Sequence, residues 1–332
     1  MTGSLLSNGQ ALSPPAPGQE RTAVVGAYQK IAHTDVTKDL DYTQAELHAL
    51  LDLAADVKRS PANYRSALAG KSIALLFEKP SLRTRMTFEL AIKQLGGFHI
   101  NYEGPIGARE PLKDMARNLD RWVDGIVART FLQKTVDGLA EWSKVPVINA
   151  LSDLYHPCQA LADMQTLAEH FGHLRGLKLA FIGDGNNVAN SLMLNAARLG
   201  MDFAIATPPK YEASAVIVEE ARALGSAANS KITVTTDPAE AAHNANGLYT
   251  DVWASMGAEN EVAERRTAFA DYQIDEDLFK HAAPEAVFMH CLPAKRGEEV
   301  TNDVIESPRS VVFDQAENRL HAQKALLLML LS

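Results

Sequence analysis

The sequence predicts an α/β protein made of two doubly wound parallel-sheet units. Three observations carry this. Short apolar runs, ended by glycine, proline or polar residues, alternate with longer segments whose apolar residues recur at helical spacing. The alternation runs to about residue 150 and then restarts, which divides the 332-residue chain near 150–156. Residues able to do chemistry recur at the ends of the apolar runs, where open parallel sheets gather their ligands.

Residues 1–34 read as a disordered or extended tail, because Ser13-Pro14-Pro15-Ala16-Pro17-Gly18 suits neither a helix nor a central strand. The tail has no charged start followed by an apolar core, so a secretory signal is not expected. Its single arginine, Arg21, argues against an organelle transit peptide. Thr43-Gln44-Ala45-Glu46 is a capping box, and Leu47, Leu50, Leu51, Leu53, Ala54 and Val57 give its helix one apolar face. A turn at 68–71 leads into a strand at 72–77, which Pro80 stops. Residues 86–95 have helical spacing, so 81–84 lie on a strand-to-helix turn. Gly96-Gly97 ends that helix before a strand at 98–102 and a loop at 103–111. A helix at 112–123, a strand at 125–128, a helix at 136–142 and a strand at 145–150 complete the first unit.

The second unit opens with a helix at 161–171. Strands follow at 177–182, 203–206, 232–234, 248–252 and 287–290, with helices at 188–199, 213–224 and 238–242. The charged segment 258–277 is a mobile lid or a solvated helix, and charge runs favour the solvated surface. The apolar run 325–331 is too short to span a membrane and reads as the docked end of an amphipathic helix.

A hydrophobic fraction of 46% and a charged fraction of 22% are ordinary for a soluble globular protein. The net charge of -9 argues against general nucleic-acid binding, so an anion site must be a basic pocket in an acidic body. Two cysteines, Cys158 and Cys291, have no paired spacing. That fits a reducing compartment, hence the cytoplasm, and excludes a disulfide framework or a Cys-rich zinc site. No run is long enough for a membrane span. No set of acid, histidine and cysteine has metal-ligand spacing, so neither metal nor cofactor is expected.

The turn Phe77-Glu78-Lys79-Pro80-Ser81-Leu82-Arg83-Thr84-Arg85 packs two hydroxyls and two guanidinium groups into a helix start. Free backbone N–H groups and the positive dipole end favour an anion there, and arginine matches phosphate oxygens. The plainer alternative is a capped surface helix with Arg85 paired to Glu89 at i,i+4. His156-Pro157-Cys158-Gln159 lies at another helix start. His156 and Gln159 can polarise a carbonyl, or His156 can simply cap the helix. Gly183-Asp184-Gly185-Asn186-Asn187 resembles a dinucleotide turn, but Val188 stands where the third glycine belongs and no acid follows the next strand. Its asparagines suit a polar ligand such as an amino acid, or merely a turn. Asp251 emerges at a strand end, where a carboxylate can hold an ammonium group or take its proton. Cys291, in His290-Cys291-Leu292-Pro293, is a nucleophile, a hydrogen-bonding thiol or a small buried residue. Arg319 lies near the start of an apolar helix and either reaches the first unit or stays at the surface.

Six motifs, at 77–85, 156–159, 183–187, 251–257, 290–294 and 313–321, together resemble the aspartate/ornithine carbamoyltransferase family from about residue 35 onward. Ser255-Met256-Gly257 resembles the ornithine-binding rather than the aspartate-binding branch. The resemblance implies transfer of the carbamoyl group of carbamoyl phosphate to the side-chain amine of L-ornithine, by direct attack, giving L-citrulline and phosphate. It implies a carbamoyl-phosphate-binding domain at 35–155 completed by the C-terminal helix 316–332, and an ornithine-binding domain at 156–315. Two interdomain helices would join them, in a homotrimer or a multiple of trimers.

By motif match, Ser81, Leu82, Arg83 and Thr84 bind the phosphate. Thr84, Arg129 and His156 hold the carbamoyl oxygen, with Gln159 near its nitrogen. Asn187, Asp251, Ser255 and Met256 bind ornithine, Cys291 and Leu292 contact both substrates, and Arg319 contacts carbamoyl phosphate. Asp251, Cys291, Arg129 and His156 form the implied catalytic set, with Asp251 and Cys291 favouring a neutral attacking amine. Arg85 keeps a structural role through Glu89. Two departures stand out. Leu82 replaces a common threonine, and Pro105-Ile106-Gly107 aligns with a family element that often begins with glutamine, which proline cannot replace. The alternatives are a carbamoyltransferase acting on putrescine or an N-acylated ornithine, and a non-catalytic binding protein on the same fold.

Overall fold

In the computed structural model, which describes residues 29–254 and 259–332, the first helix is α1 (Gln44–Arg59). The Thr43 hydroxyl accepts from the Glu46 N–H at 3.2 Å, and the Glu46 carboxylate accepts from the Thr43 N–H at 2.7 Å, closing the predicted capping box. Most of the predicted tail lies outside the described residues. Within 29–34, Ile31 is buried and the Ala32 N–H donates to Glu46.

Then come β1 (Ser72–Phe77), α2 (Leu82–Gln94), β2 (Phe98–Glu103), α3 (Leu112–Trp122), β3 (Gly125–Arg129), α4 (Gln133–Trp142) and β4 (Val147–Leu151). These strands form one parallel sheet in the order β2-β1-β3-β4. α5 (Pro157–Phe171) leads to β5 (Lys178–Ile182), α6 (Asn187–Leu199), β6 (Asp202–Ala206), α7 (Ala215–Ala228), β7 (Ile232–Thr235), α8 (Pro238–Ala242) and β8 (Gly247–Thr250). After α9 (Val262–Ala268) and α10 (Glu276–Phe279), β9 (Val287–His290) completes a second parallel sheet, ordered β7-β6-β5-β8-β9. α11 (Asn302–Ile305) and α12 (Val312–Leu331) follow. Central strands such as β3 are buried along their whole length, which is why they read as unbroken apolar runs.

Two helices start well before apolar spacing predicts. α2 begins at Leu82 because Ser81 caps it, and α5 begins at Pro157, whose fixed φ suits a first turn. β8 ends at Thr250, so Asp251 is the first residue beyond it rather than part of the strand. The described part of the charged segment, 259–277, breaks into short helices, and no residue of α9 is buried. Arg265 is nonetheless tied inward by a 2.8 Å ion pair to Asp184 and a 2.8 Å bond to the Trp253 carbonyl.

α12 corrects an expectation. Its apolar run is not one face of an amphipathic helix, since Ala325, Leu326, Leu327 and Leu328 are all fully buried. α12 packs against α1, α2 and α5 at once, so over residues 321–329 every side of it is buried. Leu47, Phe88, Leu161, Phe181 and Leu327 belong to one apolar core shared by both sheet units.

Candidate active site

Each sheet reverses its winding direction once, between β1 and β3 and between β5 and β8. Such reversals leave crevices at the carboxyl ends of the strands. Both open onto one cavity of about 540 Å³, lined by residues of both units. Every described residue of the predicted site lines it: Ser81, Leu82, Arg83, Thr84, Arg129, His156, Gln159, Asn187, Asp251, Cys291, Leu292 and Arg319. Ser255 and Met256 lie outside the described residues.

On the first-sheet side, the Ser81 hydroxyl accepts from the Thr84 N–H at 3.3 Å and so fixes the start of α2. Arg129, at the end of β3, and Arg319, on α12, donate to the Thr84 hydroxyl at 3.4 and 3.0 Å. A hydroxyl has two lone pairs and one proton. With both lone pairs engaged, Thr84 is left as a donor. Burial, with Arg319 and Arg83 close by, lowers Arg129 to about 10. Three guanidinium groups crowded in a low-dielectric cleft repel one another, and a bound anion relieves that repulsion. Arg85 does not line the cavity; it pairs with Glu89 at 2.8 Å and with Glu103.

His156 occupies the cap position of α5 but makes no side-chain cap bond. Its backbone N–H donates to Ser191 Oγ at 2.8 Å, and its Nδ1 has no partner among the described residues. Burial, and then Arg319 and Arg129, push its pKa well below the usual imidazole range, so the ring is neutral at pH 7. Gln159 accepts from Arg319 at 2.5 Å through Oε1 and donates through Nε2 to Asp163 at 2.8 Å. Asp163 is a residue the sequence reading missed. It is fully buried and also accepts from Gln315 at 2.9 Å and Tyr249 at 3.0 Å. Its position four residues after Gln159 on a helix was the available signal.

On the second-sheet side, Asp251 Oδ2 accepts from Asn186 at 2.9 Å, and Oδ1 accepts from the Val252 N–H at 2.8 Å and the Cys291 thiol at 3.1 Å. Asn186 also caps α6, accepting from the Val188 and Ala189 N–H groups. Its neighbour Asn187 lines the cavity while donating to the Ser152 carbonyl at 2.6 Å. Burial, and then the Asp251 carboxylate, push the Cys291 thiol well above its ordinary value. The sulfur therefore stays protonated and acts as a donor rather than a thiolate nucleophile.

Asp251, His290 and Cys291 bring ligand-type atoms within 4.8 Å of one another, a cluster no sequence spacing announced. His290 Nδ1, however, accepts from the Leu292 N–H at 2.8 Å, so Nε2 carries the proton and donates to Glu299 at 3.2 Å. The imidazole keeps no lone pair for a cation. Leu292, so anchored, has a left-handed φ of 57°, a conformation leucine rarely adopts.

The dinucleotide-like turn has a packing explanation. A Cβ on Gly185 would lie 2.2 Å from the backbone nitrogen of Ala213, so chain already fills the space beside that glycine.

The model of the aspartate/ornithine carbamoyltransferase carbamoyl-phosphate-binding domain matches residues 34–169, and that of the family's Asp/Orn-binding domain matches 175–330. A protein named ornithine carbamoyltransferase from Thermococcus kodakarensis is 48% identical, covering 91% of this chain and 97% of that one. Another, named ornithine carbamoyltransferase, anabolic, from Pyrococcus furiosus, is 47% identical over 88% of this chain and 94% of its own. The solved structure of ornithine carbamoyltransferase from Pyrococcus furiosus superposes with a TM-score of 0.88 at 46% identity, covering 91% of this chain and 98% of that chain. With both domain models matched in sequence and the same fold behind them, the chain belongs to the aspartate/ornithine carbamoyltransferase family.

Proposed function

We propose that this chain transfers the carbamoyl group of carbamoyl phosphate to the side-chain amine of L-ornithine, giving L-citrulline and phosphate. One observation carries the reading: a helix start suited to phosphate, with Arg129 and Arg319 behind it, and the carboxylate of Asp251 face the same cavity. Phosphate lies on the N–H groups of residues 81–84 and on Arg83. Arg129, Thr84 and neutral His156 donate to the carbamoyl oxygen, where negative charge grows during attack. Gln159, held by Asp163, meets the carbamoyl nitrogen, and Arg319 meets the phosphate end.

Asn187, Asp251, Ser255 and Met256 hold ornithine, while Cys291 and Leu292 touch both substrates. The amine nitrogen bonds to the carbonyl carbon, and the tetrahedral intermediate collapses by breaking the carbon–oxygen bond to phosphate. The leaving phosphate accepts the proton shed by the nitrogen. Cys291 forms no covalent intermediate. Holding both substrates between two units removes much of the entropic barrier.

The first domain takes residues 35–155 and 316–332 and the second takes 156–315, with α5 and α12 joining them. The working form is a homotrimer or a multiple of trimers. Phe98 and Ile100, 64% and 52% exposed on the edge strand β2, support an interface there, with Leu82 and Met86 exposed on adjoining α2. Sedimentation showing only monomer would exclude it. Two free cysteines support a cytoplasmic setting, and the anabolic relative supports a place in arginine biosynthesis. Citrulline formation should be seen with ornithine and not with putrescine or N-acetylornithine. Product from neither ornithine nor the other two amines would sink the enzyme reading.

A further inference from the structure

A second cavity, of about 660 Å³, shares no lining residue with the first. It lies beside α12, between the C-terminal ends of α1 and α2. Val57, Tyr64 and Leu95 give it apolar walls, and its charged groups are Arg65, Lys93 and Lys324, with no carboxylate in the lining. None of these three cations forms an ion pair with a described residue. Arg65 and Lys93 are exposed, as surface cations usually are. Lys324 is different: it is 3% exposed and enters the lining from the buried C-terminal half of α12. A buried ammonium without a counter-charge is unfavourable, and desolvation lowers its pKa accordingly. An anion in the cavity supplies the missing charge.

We propose that this cavity binds a small organic anion, with a carboxylate or phosphate on Lys324, Arg65 and Lys93 and an apolar body against Val57, Tyr64 and Leu95. Its volume falls in the range of about 300–1,000 Å³ typical of small-molecule sites. Such a ligand bridges α2 and α12, the two helices that deliver Arg83 and Arg319 to the first cavity.

Isothermal titration tests the site in the full chain carrying Arg83→Ala, which disables the phosphate turn of the first cavity. The probes are phenyl phosphate, benzoate and inorganic phosphate. Phenyl phosphate or benzoate should bind once per chain and more tightly than inorganic phosphate, and the better of the two identifies the head group. Adding Arg65→Ser and Lys93→Ser, which removes only exposed side chains, should weaken binding at least about tenfold through lost charge-assisted hydrogen bonds. Lys324→Met should do the same. Absence of saturable binding, or binding unchanged by the Arg65 and Lys93 substitutions, would overturn the site. Equal affinity for inorganic phosphate would overturn the apolar part of the ligand.

Discussion

Arg83 is half-buried at the first turn of α2, with Asp251 and Cys291 as its electrostatic neighbours across the cavity. Loss of a charge-assisted phosphate contact costs about 2–3 kcal/mol. Arg83→Ala should therefore raise the KM for carbamoyl phosphate about 30- to 150-fold in steady-state kinetics, and an unchanged KM would remove Arg83 from the phosphate site. Asp163 makes a pH prediction. Burial raises its carboxyl from 3.8 to about 6, outweighing the bonds from Gln315, Gln159 and Tyr249. Because the folded value is the higher one, the stability it contributes is complete below the unfolded value and is lost as pH rises through the folded one. The shift corresponds to about 3 kcal/mol. Urea unfolding of the wild type relative to Asp163→Asn should thus gain up to about that amount between pH 7 and pH 4, and no pH dependence of the difference would contradict a buried, titrating Asp163.

Elements were legible in the sequence where one local cause sets them. The capping box at Thr43 announced α1, and strands buried on both faces announced themselves as apolar runs. Each described residue named from the motifs lies at or just past a strand end, at a helix start or on a buried helix, which is how the fold brings them to one cavity. What stayed hidden depends on packing between distant segments. Asp163 matters only once α5 starts at Pro157 and turns Gln159 toward Arg319. Asn186 and Asn187 stand side by side in one turn motif, and only the fold shows that Asn186 is the one that donates to Asp251. The seven-residue apolar run at the end of α12 does not itself show that three helices pack on it. Gly185 belongs to this hidden class too. The 2.2 Å approach to Ala213 involves backbone, which cannot step aside as a flexible side chain can. Gly185→Ala should destabilise the protein by about 1–3 kcal/mol, seen as a lower midpoint in chemical unfolding.

At the scale of the molecule, one helix joins what two sheets divide. α12 contributes Arg319 to the cavity, Gln315 to Asp163 and a row of buried leucines to the shared core. Removal of residues 312–332 should abolish citrulline formation and leave a chain that binds a hydrophobic dye and loses near-ultraviolet dichroism, measured beside the full protein. The same feature has a consequence for how the protein is made. Thr84 and Arg319 are 235 positions apart. A ribosome finishes the first sheet, and its α1–α2 face, long before it reaches α12. Until then that face has no cover, and contacts of such long separation close slowly. The first unit consequently cannot mature on its own during synthesis: it waits, with apolar surface open to chaperones or to aggregation, for a helix encoded on the far side of the second unit.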